Sequence, residues 1–316
     1  MTDLLTFGET MLRLSVPAGE RLSRVDRLDV HVGGAESNVA VAAGIFGVET
    51  AWLSALPATD LGDRIVDTLR TEGVEPIVER TETGRVGTYY LERGSRPRSD
   101  AVVYDRTGTP IRDVTPEDLP DERIRDAGMV FTSGITPALS DGLAATTAAF
   151  LGTASEAGVA TAMDVNYRSK LWSADRARAT LRDLFPDVDV LFVARRDART
   201  VLGCEGEAES IARELAEDHD FETVVVTRGE EGALAVRDAV SEQPAVETDT
   251  VDPVGSGDAF VGGYLARRLQ GGDVPDALAY GAATAALERT VEGDLARLSD
   301  DEVAAVVAGD GDGIER

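Results

Sequence analysis

Apolar runs of strand length alternate with amphipathic stretches of helix length through the middle of this chain, and that rhythm confines it to one broad class of fold. Residues 130–133, 159–164 and 188–193 read as strands, and residues 141–156 and 174–185 as the helices between them. Such units, together with a nearly continuous apolar run at residues 223–227, predict a mostly parallel sheet with helices on both faces. Ligands bind to sheets of this kind in the crevice outside the carboxyl ends of the strands. Residues 11–16, 86–92 and 101–105 break the rhythm, because these short strands are separated by turn-rich sequence without a helix. They predict a small separate sheet. The expected architecture is thus a single α/β domain over residues 1–316, three layers deep in αβα order, with a β-sheet lid drawn from about residues 10–32 and 84–112. A lid can close over a substrate or pair with a second copy of the chain, and both uses stay open. There is no internal repeat or low-complexity linker, and residues 309–316 are expected to fray.

The stretch Asp252-Pro253-Val254-Gly255-Ser256-Gly257-Asp258-Ala259-Phe260, followed by a helical run to about Leu269, carries the strongest chemical signal. Glycines flank a helix start, where backbone N–H groups lack intrahelical acceptors and, with the helix dipole, form a site for phosphate. A carboxylate there is repelled by bound phosphate, so Asp258 needs another purpose, such as taking a proton from an attacking hydroxyl; capping the helix start is the alternative. A Walker loop requires a lysine after its second glycine, and a dinucleotide fingerprint a third glycine where Phe260 stands; neither is present. A second glycine-rich stretch, Gly33-Gly34-Ala35-Glu36-Ser37-Asn38-Val39-Ala40, opens another helix. Gly34 allows close approach to the backbone, and Asn38 offers a donor and an acceptor to sugar hydroxyls or to local backbone.

Arg85, Arg93, Arg96, Arg98 and Arg106 cluster in the lid segment, and Arg168 follows Asn166 just beyond a predicted strand. Arg106 is placed on the same strand face as Tyr104, two residues away. A guanidinium binds a carboxylate through two parallel hydrogen bonds, so Arg106 and Arg168 favour a substrate bearing a carboxylate; surface ion pairing is the competing use.

The formal charge is −27, and Lys170 is the only lysine. Diffuse negative charge with almost no lysine suits a medium of molar salt, where repulsion is screened over about 3 Å, and it makes nucleic acid an unsuitable partner. One cysteine, Cys204, and two histidines, His31 and His219, argue against a thiolate- or imidazole-rich metal site. With no leader-like segment and no apolar run near the roughly 20 residues that span a bilayer, the expected location is the cytoplasm.

Together these motifs resemble the ribokinase-like, or PfkB-type, carbohydrate kinases over nearly the whole chain, from Gly8-Glu9 to the helices after Asp258. Residues 33–40 resemble the N-terminal signature of that family and residues 252–263 its C-terminal one. Gly134-Ile135-Thr136-Pro137-Ala138-Leu139-Ser140 and Asp164-Val165-Asn166-Tyr167-Arg168 are closest to the 2-keto-3-deoxygluconate kinases of Entner–Doudoroff-type catabolism. The resemblance implies Asp258 as catalytic base, Gly255, Ser256 and Gly257 as an anion hole, and a sugar acid, from gluconate or galactonate, held by Gly34, Asn38, Tyr89, Tyr104, Arg106 and Arg168. It implies ATP beside Asn166, Thr227, Gly229 and Gly232, with Mg2+, a monovalent cation such as K+, and assembly into a homo-oligomer. Two departures from the family pattern stand out: Ala194 and Asp197 stand where a polar residue and Glu usually assist the metal, and Asp105 interrupts an aromatic-aromatic-arginine run. A kinase for fructose or ribose, a non-catalytic sugar or nucleotide sensor and, more distantly, a nicotinamide oxidoreductase are the competing readings.

Overall fold

The computed structural model describes residues 2–94 and 97–309. The expected fraying beyond Gly309, and Arg96 of the lid cluster, lie outside the described residues. In chain order the strands are β1 (Leu4–Phe7), β2 (Met11–Ser15), β3 (Asp29–Gly33), β4 (Thr50–Pro57), β5 (Glu75–Thr81), β6 (Thr88–Glu92), β7 (Ala101–Asp105), β8 (Met129–Ser133), β9 (Ala160–Asp164), β10 (Val190–Ala194), β11 (Thr223–Thr227), β12 (Ala233–Val236) and β13 (Val240–Gln243). The large sheet runs β13-β12-β11-β10-β9-β8-β1-β4-β5, and the small one β3-β2-β6-β7. From β5 to β11 every neighbouring pair in the large sheet is parallel, and only β12 and β13 pair antiparallel.

Period-two alternation explains why the parallel strands are apolar on both faces. Val224 and Val226 of β11 enter one core and Val225 the other. The helices Asp141–Ala157, Ala174–Leu184 and Ala208–Asp218 cover the first face through residues such as Leu143, Leu181 and Ile211. Ala35–Gly44, Ser256–Leu269 and Val274–Glu288 cover the second through Val39, Leu265 and Leu278. Helix ends follow local chemistry: Ser140 Oγ accepts from Leu143 N at 3.0 Å to start one helix, and Gly158, at φ 73°, ends it.

Strand order radiates both ways from β1, towards β4 and towards β8, so the crevice between β1 and β8 is the switch point where a ligand is expected. The small sheet is the expected lid. Its second segment is shorter than expected, because the turn at Pro110–Asp113 belongs to the main body: Ile111 is fully buried in the first core. Arg106 lies just past the end of β7, not on it. No helix among the described residues is long and apolar enough to cross a membrane.

Most arginine–carboxylate pairs are at least partly exposed, as in Arg176–Asp141 and Arg213–Glu209, and pairs of this kind contribute little stability. Unpaired repulsion therefore dominates the electrostatics of a chain at −27. Raising KCl from millimolar to molar should raise the melting temperature; a fall would mean that the surface pairs, which salt weakens, outweigh the repulsion.

Candidate active site

Gly262 and Gly263 stand inside the Ser256–Leu269 helix, where glycine costs about 1 kcal/mol relative to alanine. Packing explains them. A Cβ on Gly262 would lie 2.5 Å from Ala42 Cβ, and one on Gly263 would lie 2.5 Å from Thr284 Oγ1. The helix therefore meets both the Ala35–Gly44 helix and the Val274–Glu288 helix at backbone distance. This close crossing brings Asn38 Nδ2 within 2.7 Å of Asp258 Oδ2, while Asn38 Oδ1 accepts from Gly34 N at 3.2 Å. Asn38, expected at a sugar hydroxyl or local backbone, thus joins the two glycine-rich stretches and orients the carboxylate between them.

Gly255 caps this helix in the left-handed region, at φ 103°, where a side chain is strained; a Cβ there would also meet Asp294 O at 2.6 Å and Glu288 Oε1 at 2.7 Å. Ala259 N donates to Gly255 O at 2.8 Å, which leaves the amides just before it at the helix mouth.

Two clefts meet at that mouth. One, of about 470 Å³, runs along the strand ends beneath the lid and is lined by Gly34, Asn38, Tyr89, Tyr104, Arg106, Asp164, Asn166, Arg168, Gly255, Gly257 and Asp258. The other, of about 310 Å³, is lined by Thr227, Gly229, Gly232, Ser256 and Gly257 over an apolar floor that includes Ala233, Val246, Phe260, Ala282 and Ala286. Thr227 and Gly257 border both. All the expected site residues therefore line one cleft or the other, and Gly257 marks the junction.

The polar groups of the first cleft differ in their freedom. Arg106 is committed to Glu9, whose Oε2 it approaches through Nε at 2.9 Å, with Thr109 Oγ1 donating to Glu9 Oε1 at 2.8 Å. The Tyr89 hydroxyl donates to Asp294 Oδ1, and its ring lies 5.7 Å from the Tyr104 ring. Arg168 has no carboxylate partner among the described residues; its nearest acceptor is Tyr167 O at 3.4 Å. Asn166 adopts φ 38°, unusual outside glycine, at the turn after β9, where its N–H donates to Asp164 Oδ1 at 3.2 Å. Asp197 is buried against Arg196 at 2.9 Å, and no group of three or more His, Cys, Asp or Glu among the described residues is arranged to hold a metal ion.

Burial pushes Asp258 up to about 6, against the opposing pull of Asn38, Arg168 and Asn166. Burial and the Asp258 charge push Asp164 up to about 7. Glu36 is also raised to about 7, by burial, although its Oε1 accepts from Ser133 Oγ at 2.7 Å and Thr136 Oγ1 at 2.8 Å. Sequence reasoning left Glu36, Glu9 and Asp164 without roles. A charged residue in the first turn of a helix otherwise built from small and uncharged residues was the available signal for Glu36.

Backbone amides at a helix mouth, a buried carboxylate and two clefts joined there are the arrangement a phosphotransferase requires. The pattern of the pfkB family carbohydrate kinase matches residues 1–300, and the chain belongs to that family. It is 55% identical over 315 residues to the 2-dehydro-3-deoxygalactonokinase of Haloferax volcanii, with 99% of each chain covered. It is 31% identical to the 2-dehydro-3-deoxygluconokinase of Thermoproteus tenax, over 93% of this chain and 90% of that one. The crystal structure of 2-dehydro-3-deoxygluconokinase from Thermotoga maritima superposes with a TM-score of 0.92 at 34% identity, covering 98% of each chain. The chain is accordingly a carbohydrate kinase, with an alcohol group as acceptor.

A base must be ionised to accept a proton, so kcat/KM should rise with pH through about 6 as Asp258 loses its proton, and then level off. Asn38→Ala removes a bond that favours the ionised form and should move this limb to higher pH. A flat profile across that range would remove Asp258 as the titrating group.

Proposed function

We propose that the protein transfers the γ-phosphoryl group of Mg-ATP to the terminal hydroxyl of a 2-keto-3-deoxy sugar acid, with the galactonate-derived acid a better substrate than its gluconate epimer. The observation that carries this reading is the meeting of a polar, arginine-bearing cleft and an apolar cleft at Gly257, with Asp258 on the polar side. The apolar floor suits a nucleotide base, and the amides at the mouth of the Ser256–Leu269 helix suit its phosphates. Mg2+ enters as part of the substrate, held by ATP and water, the usual arrangement for this ion beside phosphates. The 55% identity to a 2-dehydro-3-deoxygalactonokinase favours the galactonate epimer. That relative comes from Haloferax volcanii, and the charge of −27 fits a cytoplasm at molar salt.

In this reading Asn38 holds Asp258 so that its carboxylate takes the proton from the attacking hydroxyl, and the backbone at residues 255–258 steadies charge on the transferring group. Arg168, lacking a protein carboxylate, binds the carboxylate of the sugar acid through its fork. Arg106 orders the lid through Glu9 and presents a cation 5.5 Å from the Tyr104 ring.

ADP release in molar KCl with Mg-ATP tests the reading on 2-keto-3-deoxygalactonate, 2-keto-3-deoxygluconate, fructose and ribose. Turnover confined to the keto acids supports it, and preference for a neutral sugar overturns the carboxylate assignment. Arg168→Ala should raise KM for the sugar acid by about 10- to 100-fold, as expected for a lost charge-assisted bond. Unaltered KM would remove Arg168 from the substrate. Asp258→Asn should lower kcat by ~10²–10⁴-fold with nucleotide affinity kept, measured by equilibrium titration with ADP.

A further inference from the structure

Arg13 sits in the middle of lid strand β2, paired with His31 of β3 and Tyr89 of β6, and is only 2% exposed. A guanidinium so buried is costly unless every arm finds an acceptor. Its Nε donates to Ser15 Oγ at 2.7 Å, its Nη1 to Asp294 Oδ2 at 3.3 Å, and its Nη2 to Asp252 Oδ2. Arg93 and Tyr89, both from the lid, complete the cluster by bonding to Asp252 and Asp294 respectively.

Both carboxylates belong to segments that shape the anion-binding turn. Asp252 is fully buried, and its Oδ1 accepts from Val254 N at 3.1 Å, which folds the backbone leading into Gly255. Its Oδ2 also accepts from Gly293 N at 3.3 Å, linking that turn to the loop that carries Asp294. The Asp294 carbonyl in turn lies against Gly255, at the position where a side chain would otherwise begin. Arg13 thus grips, from the lid, the two carboxylates that brace Gly255 from either side. None of its donors faces the substrate cleft, so the reaction described above makes no direct use of it.

We propose that Arg13 is a positioning residue that couples the lid sheet to the anion-binding turn, so that the amides at residues 255–258 hold their transition-state geometry only while β2 is seated. The inference rests on the proposed phosphoryl transfer for its kinetic readout, and has a second readout that does not. A mobile lid that displaces β2 also loosens the turn, which makes catalysis conditional on lid placement without any contact between Arg13 and substrate.

The test compares wild type, Arg13→Met, Arg13→Lys and Arg13→Ala in molar KCl, with the folded fraction of each measured by circular dichroism. Per folded molecule, kcat of Arg13→Met should fall about 100-fold, the scale of losing one oxyanion donor. KM for the sugar acid should change by less than about threefold. Arg13→Lys keeps a charge but not the fork and should show an intermediate loss. Millimolar guanidinium should restore turnover to Arg13→Ala and leave wild type unchanged. Amide hydrogen exchange at residues 253–257 should quicken in Arg13→Met and in Arg13→Lys, whether or not substrate is turned over. Equal protection of those amides, or wild-type kcat per folded Arg13→Met molecule, overturns the proposal. Wild type inactive on both sugar acids counts instead against the proposed reaction, and the exchange measurement then judges Arg13 alone.

Discussion

The backbone-distance contact between the Ala35–Gly44 and Ser256–Leu269 helices is the constraint on which the active site depends. It exists because Gly262 has no side chain where Ala42 and Val39 O press against it. Any Cβ there would part the helices and carry Asn38 away from Asp258, to which its amide donates at 2.7 Å. The helix pays locally for two interior glycines, and the loss is offset by packing across both of its neighbours. Fold stability and chemistry are therefore set at the same crossing.

Electrostatics around the cleft follow from the placement of few cations among many carboxylates. Glu36, Asp164, Asp294 and Glu288 all feel the charge of Asp258, and all five carboxyls are pushed up by burial, Glu288 to about 9. Both oxygens of Glu288 are buried without a hydrogen-bond partner, in keeping with a protonated acid at neutral pH. Beside these groups, Arg13 and Arg106 are consumed by internal carboxylates, and Arg168 has no carboxylate partner among the described residues. Among the described residues, the arginines lining the two clefts without a carboxylate partner are Arg168 in the first and Arg289 in the second.

Much of this was legible from residue order. The strands at residues 101–105 and 223–227 and the helix ending at Leu269 have the expected limits, because each is delimited by local pattern and turn chemistry. Gly255 to Asp258 were legible as a helix start because flanking glycines mark one locally, and Gly255 is indeed its cap. The assignment of Arg106 as a free carboxylate ligand was incomplete, since Glu9 lies 97 residues away in sequence and nothing local announces their pairing. The antiparallel edge made by β12 and β13 was not anticipated either. Strand pairing depends on partners that local periodicity does not name.

The sequence by itself determined the class of fold, the mostly parallel sheet with a separate lid, and the glycine-flanked helix start with its carboxylate, because these follow from short-range periodicity and from backbone groups each segment carries with it. Only the tertiary structure decided which polar groups are free to act. Asn38 became the support of Asp258, Tyr89 turned its hydroxyl to Asp294, Arg13 was buried between Asp252 and Asp294, and Arg168 was left without a carboxylate partner among the described residues. Those outcomes depend on which side chains are brought within about 3 Å of one another by packing across hundreds of residues, and a charge or hydrogen bond acquires its strength only at that range.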